Sequence, residues 1–189
     1  GDIDGDGDID IVAPTNSGDI RILRNNGNGT FAAPVTVSFS GTIFSASSVA
    51  LGDYDGDGDP DLFVPRTSGA PTSDRVYRND GGNFVETRSS IGLNYSTFGR
   101  RSGWVDHDGD GDLDLHALAG HRADKFYRND GGSFKEVAAE LGIRFGENGS
   151  TSNWGDFDGD GDLGGLFTYG DGGSTKLVRN DGQSFSNVF

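Results

Sequence analysis

Short stretches in which apolar and polar residues alternate recur along this chain, and a period of two residues predicts half-buried β-strands. Each of the clearest stretches follows an acidic, glycine-rich segment and precedes a segment that begins with a basic residue. The apolar pairs of these stretches are Ile11 and Ala13, Leu62 and Val64, and Leu115 and Ala117. The pattern therefore predicts an all-β fold built from short strands.

Four strands are predicted in each unit of this pattern. The first is short and apolar and carries Leu51, Trp104 or Trp154, and the second is the alternating stretch. The third is a basic-apolar-apolar-Arg segment followed by Asn-Asp-Gly-Gly, a strong hairpin turn. The predicted starts of the fourth strand are Phe31, Phe84, Phe134 and Phe185. Only residues 137–142, VAAELG, favour a helical turn, which we expect to be a short connector.

The units repeat at a nearly constant spacing. The first aspartates of the four acidic segments are separated by 51, 53 and 50 residues, and the arginine of the third strand keeps the same phase. Four short antiparallel strands repeated at such a period predict the blades of a β-propeller. The predicted blades are residues 1–40, which lack a first strand, 41–92, 93–142 and 143–189.

The four acidic segments carry the chemistry of the sequence. They read DIDGDGDID at residues 2–10, DYDGDGDPD at 53–61, DHDGDGDLD at 106–114 and DFDGDGDLG at 156–164, and we call them the first to fourth loops, each with positions 1 to 9. Carboxylates this close repel one another by about 1–3 kcal/mol per pair, so each loop needs a cation. Glycine at positions 4 and 6 permits the tight backbone that directs the acids at positions 1, 3 and 5 to one centre. The predicted metal-binding residues are Asp2, Asp4, Asp6, Asp8, Asp10, Asp53, Asp55, Asp57, Asp59, Asp61, Asp106, Asp108, Asp110, Asp112, Asp114, Asp156, Asp158, Asp160 and Asp162.

Oxygen ligands in this number favour Ca²⁺ over Mg²⁺, which keeps several waters and few carboxylates. The spacing follows the first half of an EF-hand loop, with a backbone carbonyl as the ligand at position 7. The side chains at position 7 are expected to point outward. At position 9 a bidentate carboxylate is expected from Asp10, Asp61 and Asp114, whereas Gly164 has no side chain to offer. We therefore expect three full calcium sites and a weaker fourth.

Composition narrows the function further. The formal net charge is −15, but 19 of the 30 acidic residues lie in the four loops, so the acidity indicates metal binding and argues against a nucleic-acid partner. The absence of cysteine excludes disulfides and thiol chemistry. No apolar run is long enough to predict membrane insertion. The chain also lacks methionine, from which we expect a piece of a longer protein or a processed product.

The DxDGDGxxD loops, together with YRNDGGSFKEVAAELGI and NWGDFDGDGDL, resemble the FG-GAP/VCBS repeats of integrin-α-type propellers. The fuller unit is similar to the bacterial and cartilage-acidic-protein-like branch of that family. The resemblance covers almost the whole chain and implies a Ca²⁺ ion in a loop between the first two strands of each blade. Because such propellers commonly close with seven blades, we expect an open arc here, with the remaining blades of a parent propeller as its partners.

Two groups of residues admit a second interpretation. His107, His116 and His121 occur in one unit, so we expect surface histidines and not a transition-metal site. Trp104 and Trp154 stand where another unit has leucine, which favours packing over a sugar-stacking platform.

The third strands also carry eight basic residues. Solvation of an antiparallel face explains part of this pattern, and charge complementarity to the acidic loops is a further hypothesis. The residues are Arg21, Arg24, Arg75, Arg78, Lys125, Arg128, Lys176 and Arg179.

The expected function is extracellular adhesion or ligand binding with structural calcium, and the ligand is an unidentified protein or carbohydrate. Extracellular calcium modules bind at roughly 10⁻⁴–10⁻³ M, which a calcium-poor cytosol leaves empty, so we expect secretion, the cell surface or the periplasm. No catalytic residue is predicted, because the carboxylates repeat in metal loops and do not form the acid and base pair of a glycosidase. The alternative is a propeller domain of a secreted polysaccharide-active or other hydrolytic enzyme, in which only the longer stretches 65–74 and 89–101 break the repeat.

Overall fold

The computed structural model describes residues 1–15, 19–37, 48–65, 74–93, 103–118, 123–143, 149–170, 175–182 and 184–189. Within these ranges every regular element is a β-strand. They contain no helix of the length and hydrophobicity that crossing a membrane requires. The all-β prediction is confirmed.

The strands form four antiparallel sheets in which consecutive strands are hydrogen-bonded neighbours. The first sheet contains β1 (Ile11–Pro14), β2 (Ile20–Leu23) and β3 (Val35–Val37). The second contains β4 (Ala50–Gly52), β5 (Asp61–Val64), β6 (Arg75–Asp80) and β7 (Asn83–Glu86). The third contains β8 (Gly103–Val105), β9 (Asp114–Ala117), β10 (Lys125–Asn129) and β11 (Phe134–Glu136). The fourth contains β12 (Gly149–Gly155), β13 (Gly164–Tyr169), β14 (Lys176–Asn180) and β15 (Phe185–Asn187).

The predicted unit of four strands is confirmed in the second, third and fourth sheets, and the first sheet has three strands. Over the described residues the sheets do not close into a barrel, which agrees with an open arc. Gly1 lies beside Leu51 of the second sheet and Pro60 of the second loop. The exact bounds of the units stay a prediction.

The acidic loops join the first two strands of the complete sheets, as the resemblance implied. In the second sheet, Gly52 before the loop pairs with Asp61 at its end. The third sheet has the equivalent pair Val105 and Asp114. This pairing closes the base of each loop, so the strand ladder sets the separation of the two loop ends.

The fourth strand begins as predicted in three sheets but not in the first. Phe134 and Phe185 start β11 and β15, and Phe84 is the second residue of β7. Phe31, in contrast, forms only an isolated bridge, and β3 starts at Val35. Pro34 lies between them, and because proline has no N–H it cannot donate a hydrogen bond to the strand ladder.

The short connector predicted at residues 137–142 is a single turn. The Leu141 N–H donates to the Val137 carbonyl at 2.9 Å, and the Ile143 N–H donates to the Ala138 carbonyl at 3.0 Å. Gly142 ends the turn with a φ of 74°, a value that glycine adopts without strain. The connector prediction is confirmed.

Apolar side chains fill the spaces between neighbouring sheets. Trp104 of the third sheet packs on Phe63 of the second, with 6.0 Å between the ring centroids. Trp154 of the fourth sheet packs on Phe126 of the third, with 5.7 Å between the ring centroids. The packing role expected for both tryptophans is confirmed, and this burial of apolar surface holds adjacent sheets together.

The prediction of surface histidines is wrong for His107 and His116, which expose only 4% and 2% of their surface. His116 lies in β9, whose residues are all buried because a sheet packs on each face of it. Its ring lies 5.6 Å from that of Trp154 in the next sheet. His107 is covered by Phe185 of the fourth sheet. His121 lies outside the described residues.

Burial makes His116 a neutral residue of the core. Its Nδ1 has no hydrogen-bond partner, and desolvation lowers the pKa of His116 to about 3. In the unfolded chain the same ring gains a proton near pH 6.5, so between these values the unfolded state binds more protons. Folding stability from this residue is complete above pH 6.5 and falls at lower pH, by up to about 1.4 kcal/mol per pH unit.

We expect His116→Phe to remove this acid sensitivity. Phe63 occupies the equivalent position of β5, so the fold accepts an aromatic ring there. Urea unfolding with excess calcium at pH 7 and pH 5 measures this effect. On acidification the free energy of unfolding should fall by about 2 kcal/mol more in the wild type than in the variant. His121→Ala is the control and should behave as the wild type. Equal losses in the wild type and His116→Phe would contradict a neutral His116.

Candidate metal centres

Three carboxylates converge in every loop. One oxygen from each of positions 1, 3 and 5 lies within 4.8 Å of the other two. These groups are Asp2, Asp4 and Asp6; Asp53, Asp55 and Asp57; Asp106, Asp108 and Asp110; and Asp156, Asp158 and Asp160. The structure thus brings together the acids that the spacing placed on one centre.

Backbone amides and two glycines shape each loop, as the second loop illustrates. The first carboxylate, that of Asp53, accepts the N–H of Gly56 at 2.8 Å and the N–H of Gly58 at 2.9 Å. These glycines have φ values of 75° and 97°, in the left-handed region that other residues avoid. The loop therefore folds around its own first side chain. This conformation brings the acids at positions 3 and 5 close to the first carboxylate.

In the first two loops, one oxygen of the position-3 carboxylate lacks a partner among the described residues. Oδ1 of Asp4 and Oδ1 of Asp55 are buried without a hydrogen bond. Burial, and then the neighbouring charge of Asp57, raises the pKa of Asp55. A bound cation would supply the missing partner and reverse this shift. The donor set is oxygen alone, which suits a hard ion such as Ca²⁺.

The carboxylate at position 9 joins the loop to the sheet. Oδ1 of Asp61 accepts the N–H of Asn79 at 2.8 Å, and Oδ2 accepts the N–H of Tyr54 at 2.9 Å. Asp61 is fully buried, and burial raises its pKa to about 7 against the lowering effect of these two bonds. Asp10 and Asp114 make the equivalent bonds. In the structure these carboxylates anchor the loop to the sheet. Bidentate metal binding by them stays a prediction.

The fourth loop keeps its shape without this carboxylate. Asp156 accepts the N–H of Gly159 at 2.7 Å and the N–H of Gly161 at 3.2 Å, as in the other loops. At Gly164 the ring of Phe157 occupies the space that a side chain would need. This loop therefore has the three converging acids but lacks the buried carboxylate at position 9.

The aspartates at position 7 have a role that the sequence did not reveal. Oδ2 of Asp59 accepts the N–H of Gly81 at 2.7 Å, and Oδ2 of Asp112 accepts the N–H of Gly131 at 2.8 Å. Both glycines lie in the turn between the third and fourth strands. The side chains of Asp59 and Asp112, which we expected to point outward, instead tie that turn to the loop. Metal binding by the position-7 carbonyls stays a prediction.

A buried asparagine connects each of the first three loops to the following sheet. Nδ2 of Asn129 donates to the carbonyl of Tyr54 in the preceding loop at 2.7 Å and to that of Leu113 at 3.1 Å. Its Oδ1 accepts the N–H of Gly132 at 2.8 Å. The same cross-sheet bond runs from Asn79 to Ile3 and from Asn180 to His107. Sequence reasoning missed these residues, although an asparagine follows the arginine in all four units.

The second basic residue of each third strand, an arginine in all four units, has one of two kinds of partner. Nη1 of Arg24 lies 3.3 Å from Oδ2 of Asp4 in its own loop. Arg78 instead pairs with Asp80 in the following turn, at 2.9 Å. The first unit has Asn26 where the second has that turn aspartate, so Arg24 turns to the loop. The pairs Arg128–Asp130 and Arg179–Asp181 repeat the turn contact. This direct pairing supports the hypothesis of charge complementarity to the acidic loops for Arg24. Exposed pairs of this kind contribute little to the free energy of unfolding.

The third loop alone carries a histidine at position 2. Burial favours the neutral ring, but the hydrogen bond and charge of Asp114 outweigh this and raise the pKa of His107. Its Nδ1 contacts Oδ2 of Asp114 and lies 3.9 Å from Oδ1 of Asp108. These three side chains form a further group that could hold a metal ion.

A family model described as an FG-GAP-like repeat matches residues 2–64 and 106–163, which together make up more than half of the chain. The chain belongs to the FG-GAP-like repeat family. One matched segment contains the first and second loops, and the other contains the third loop and all but the last residue of the fourth, so the repeat includes both strands and candidate metal sites. The four sheets are therefore blades of a β-propeller-type domain. A search of curated proteins found no match. The more specific branch inferred from the sequence stays a prediction.

We expect Asn129→Ala to destabilise the protein by about 2–4 kcal/mol, because it removes a buried hydrogen bond to the Tyr54 carbonyl and two partly buried ones, to the Leu113 carbonyl and from the Gly132 amide. Asn25→Ala is the matched control. Asn25 keeps the bonds within its own unit, to the Ile9 carbonyl and from the Gly27 amide, and is only half-buried. Its loss should cost about 1 kcal/mol or less. Denaturant unfolding with excess calcium measures both, and equal losses would contradict the importance of the cross-sheet bond.

We expect the fourth loop to bind calcium about ten-fold or more weakly than the others, because it has one carboxylate fewer. In calorimetric titration, Asp158→Asn should remove only the weakest binding phase. Asp55→Asn makes the same change in the second loop and should remove a tight phase instead. Four sites of equal affinity would show that the position-9 carboxylate does not contribute to binding.

Proposed function

We propose that this chain is a calcium-binding, extracellular propeller segment that acts in adhesion or ligand binding, with calcium in a structural role. The observation that carries the proposal is the convergence of three carboxylates in each of four loops, with unpartnered buried oxygens on Asp4 and Asp55. Such an arrangement is unfavourable unless a cation offsets the repulsion.

The connections of the loops support the proposed structural role of calcium. Each of the last three loops joins two strands of its own blade, and the carbonyl of the second loop residue accepts a hydrogen bond from the next blade in the first three loops. An ion bound to the folded loop therefore stabilises a blade and its junction with a neighbour. The proposed location rests on the same metal, because weak calcium sites fill only where calcium is abundant.

A binding role is favoured over catalysis by the repetition of the charged groups. The acids at positions 1, 3 and 5 have the same arrangement in all four blades, whereas a catalytic pair would be distinct from its repeats. Turn and strand charges are paired with one another, as in Arg75 with Glu86 and Lys125 with Glu136. The proposed ligand is a protein or a carbohydrate.

Chelation tests the structural role. Each site filled at 100 times its dissociation constant adds about 2.7 kcal/mol to the free energy of unfolding. Removal of calcium should therefore lower the melting temperature strongly, with recovery in Ca²⁺ but little in equimolar Mg²⁺. Asp55→Asn should reduce the stabilisation by calcium, whereas Asp130→Asn, in an exposed turn, should not.

A melting temperature that does not change with calcium would overturn the structural role. The adhesion proposal is tested separately, by retention of the calcium-loaded chain on arrays of immobilised glycans and extracellular proteins. Release by chelator is expected, since the blades lose their order. Hydrolysis of the retained material by the purified chain would contradict a binding role.

A further inference from the structure

The first and fourth blades each have an apolar face on which no other sheet packs among the described residues. We call the face of the first blade the front face, and it carries Ile11, Leu23 and Phe31. We call the face of the fourth blade the back face, and it carries Phe157, Leu166 and Leu177. The two phenylalanines expose 43% and 46% of their surface. Exposed apolar side chains grouped in this way mark an interaction surface.

The junction of the second and third blades shows what covers a front face. Phe31 pairs with Asn25, and Phe134 pairs in the same way with Asn129 in the third blade. The Phe134 ring packs on Tyr54 of the preceding blade, with 5.7 Å between the ring centroids, and only 7% of Phe134 is exposed. The position of Phe31 is therefore one that a preceding blade buries.

The same junction shows what covers a back face. Phe157 is the second residue of the fourth loop, the position that Tyr54 has in the second loop and His107 in the third. Tyr54 and His107 are buried, because a phenylalanine of the following blade packs on each of them. Phe157 has the position but, among the described residues, no following blade to cover it.

The aliphatic residues of the two faces repeat this difference. Leu166 pairs with the third strand at the position of Phe63, and it is half-buried whereas Phe63 is fully buried. Ile11 has the position of Leu62, and it is exposed whereas Leu62 is fully buried. The front and back faces are thus the two halves of one kind of junction.

A polar contact of the inner junctions also has its two halves at the end blades. In the inner junctions an asparagine side chain donates to the carbonyl of the second loop residue, as Asn129 does to Tyr54. In the single chain, Asn25 donates to the Ile9 carbonyl of its own blade, and its amide group has a second N–H. The carbonyl of Phe157 accepts no hydrogen bond among the described residues.

We propose that the front face of one copy of this chain binds the back face of a second copy, in the arrangement of the inner junctions. Phe31 of one copy then packs on Phe157 of the other, and the Asn25 side chain donates to the Phe157 carbonyl. Because two different faces meet, the contact is heterologous, and it forms a ring where the rotation between copies closes. Two copies with four blades each supply eight blades, within the range of closed propellers.

A second copy fits these faces better than an unrelated protein, because each copy carries both halves of the contact. The three inner junctions of the chain are built from the same pair of faces. The net charge of −15 on each copy opposes association. Cations in the acidic loops and screening by salt both reduce this repulsion.

Sedimentation equilibrium of the whole chain in excess calcium tests the proposal. About 1 M salt shortens the Debye length to about 3 Å, so that net charge does not decide the result. We expect an average mass that rises with concentration toward twice 19.9 kDa, with a Kd in the micromolar range. Larger assemblies that the variants below dissociate would show the same contact without closure of a ring.

The two exposed phenylalanines provide the variants. Phe31→Ser and Phe157→Ser should each raise the Kd about ten-fold or more, because each removes the aromatic anchor of one face. Both side chains are exposed in the single chain, so the melting temperature of the dilute variants should stay close to that of the wild type. Val85→Ser is the matched control, because Val85 is 49% exposed but belongs to the second blade, which carries neither face. It should associate as the wild type does.

A mixture of Phe31→Ser and Phe157→Ser identifies which faces meet. Each variant keeps one unaltered face, so the mixture forms one unaltered contact and should associate more tightly than either variant alone. Association through two like faces would instead leave one of the two variants unaffected. That result, a mixture no tighter than its components, or a wild-type chain with the mass of one copy throughout the micromolar range would overturn the proposal.

Discussion

One repeated hydrogen bond connects the candidate metal loops to the rest of the structure: a buried asparagine side chain donates to the second carbonyl of the preceding loop. Asn129 makes this bond and also donates its backbone N–H to Asp114, the position-9 carboxylate of its own blade. Each such asparagine therefore contacts two successive loops. Because an unmet buried carbonyl costs about 1–3 kcal/mol, adjacent blades are coupled through their metal loops as well as through their apolar contacts.

The loops balance two opposing requirements. Three carboxylates must lie close enough to share one ion, which is unfavourable without it, and the backbone must remain in that shape. Glycines such as Gly56 and Gly58 satisfy the second requirement with positive φ, and the first aspartate of the loop accepts their amides. The protein part of the candidate site is thus preorganised, and in the proposed function a bound cation would offset the remaining repulsion. Because the glycines and the first aspartate maintain the backbone, the fourth loop keeps its conformation although Gly164 removes one carboxylate.

The blades share a backbone but differ where single side chains differ. Asn26 in place of a turn aspartate directs Arg24 to the first loop. His107 in place of tyrosine lines a pocket between the third and fourth blades. In a repeat fold each blade contacts only its neighbours, so a change of this kind acts at one junction and leaves the others intact. Distinct sites can therefore arise on one repeated framework.

The sequence by itself determined the features that depend on local chemistry. The period, the order of strands, the turn at residues 137–142 and the convergence of positions 1, 3 and 5 follow from short-range patterns, because glycine, aspartate and alternation act within a few residues. Only the tertiary structure decided which side chains the next blade buries and contacts. It buries His107 and His116 and aligns Asn129 with a loop that lies 75 residues earlier in the chain. Burial and these cross-blade bonds depend on the packing of one sheet against another, which no local pattern encodes.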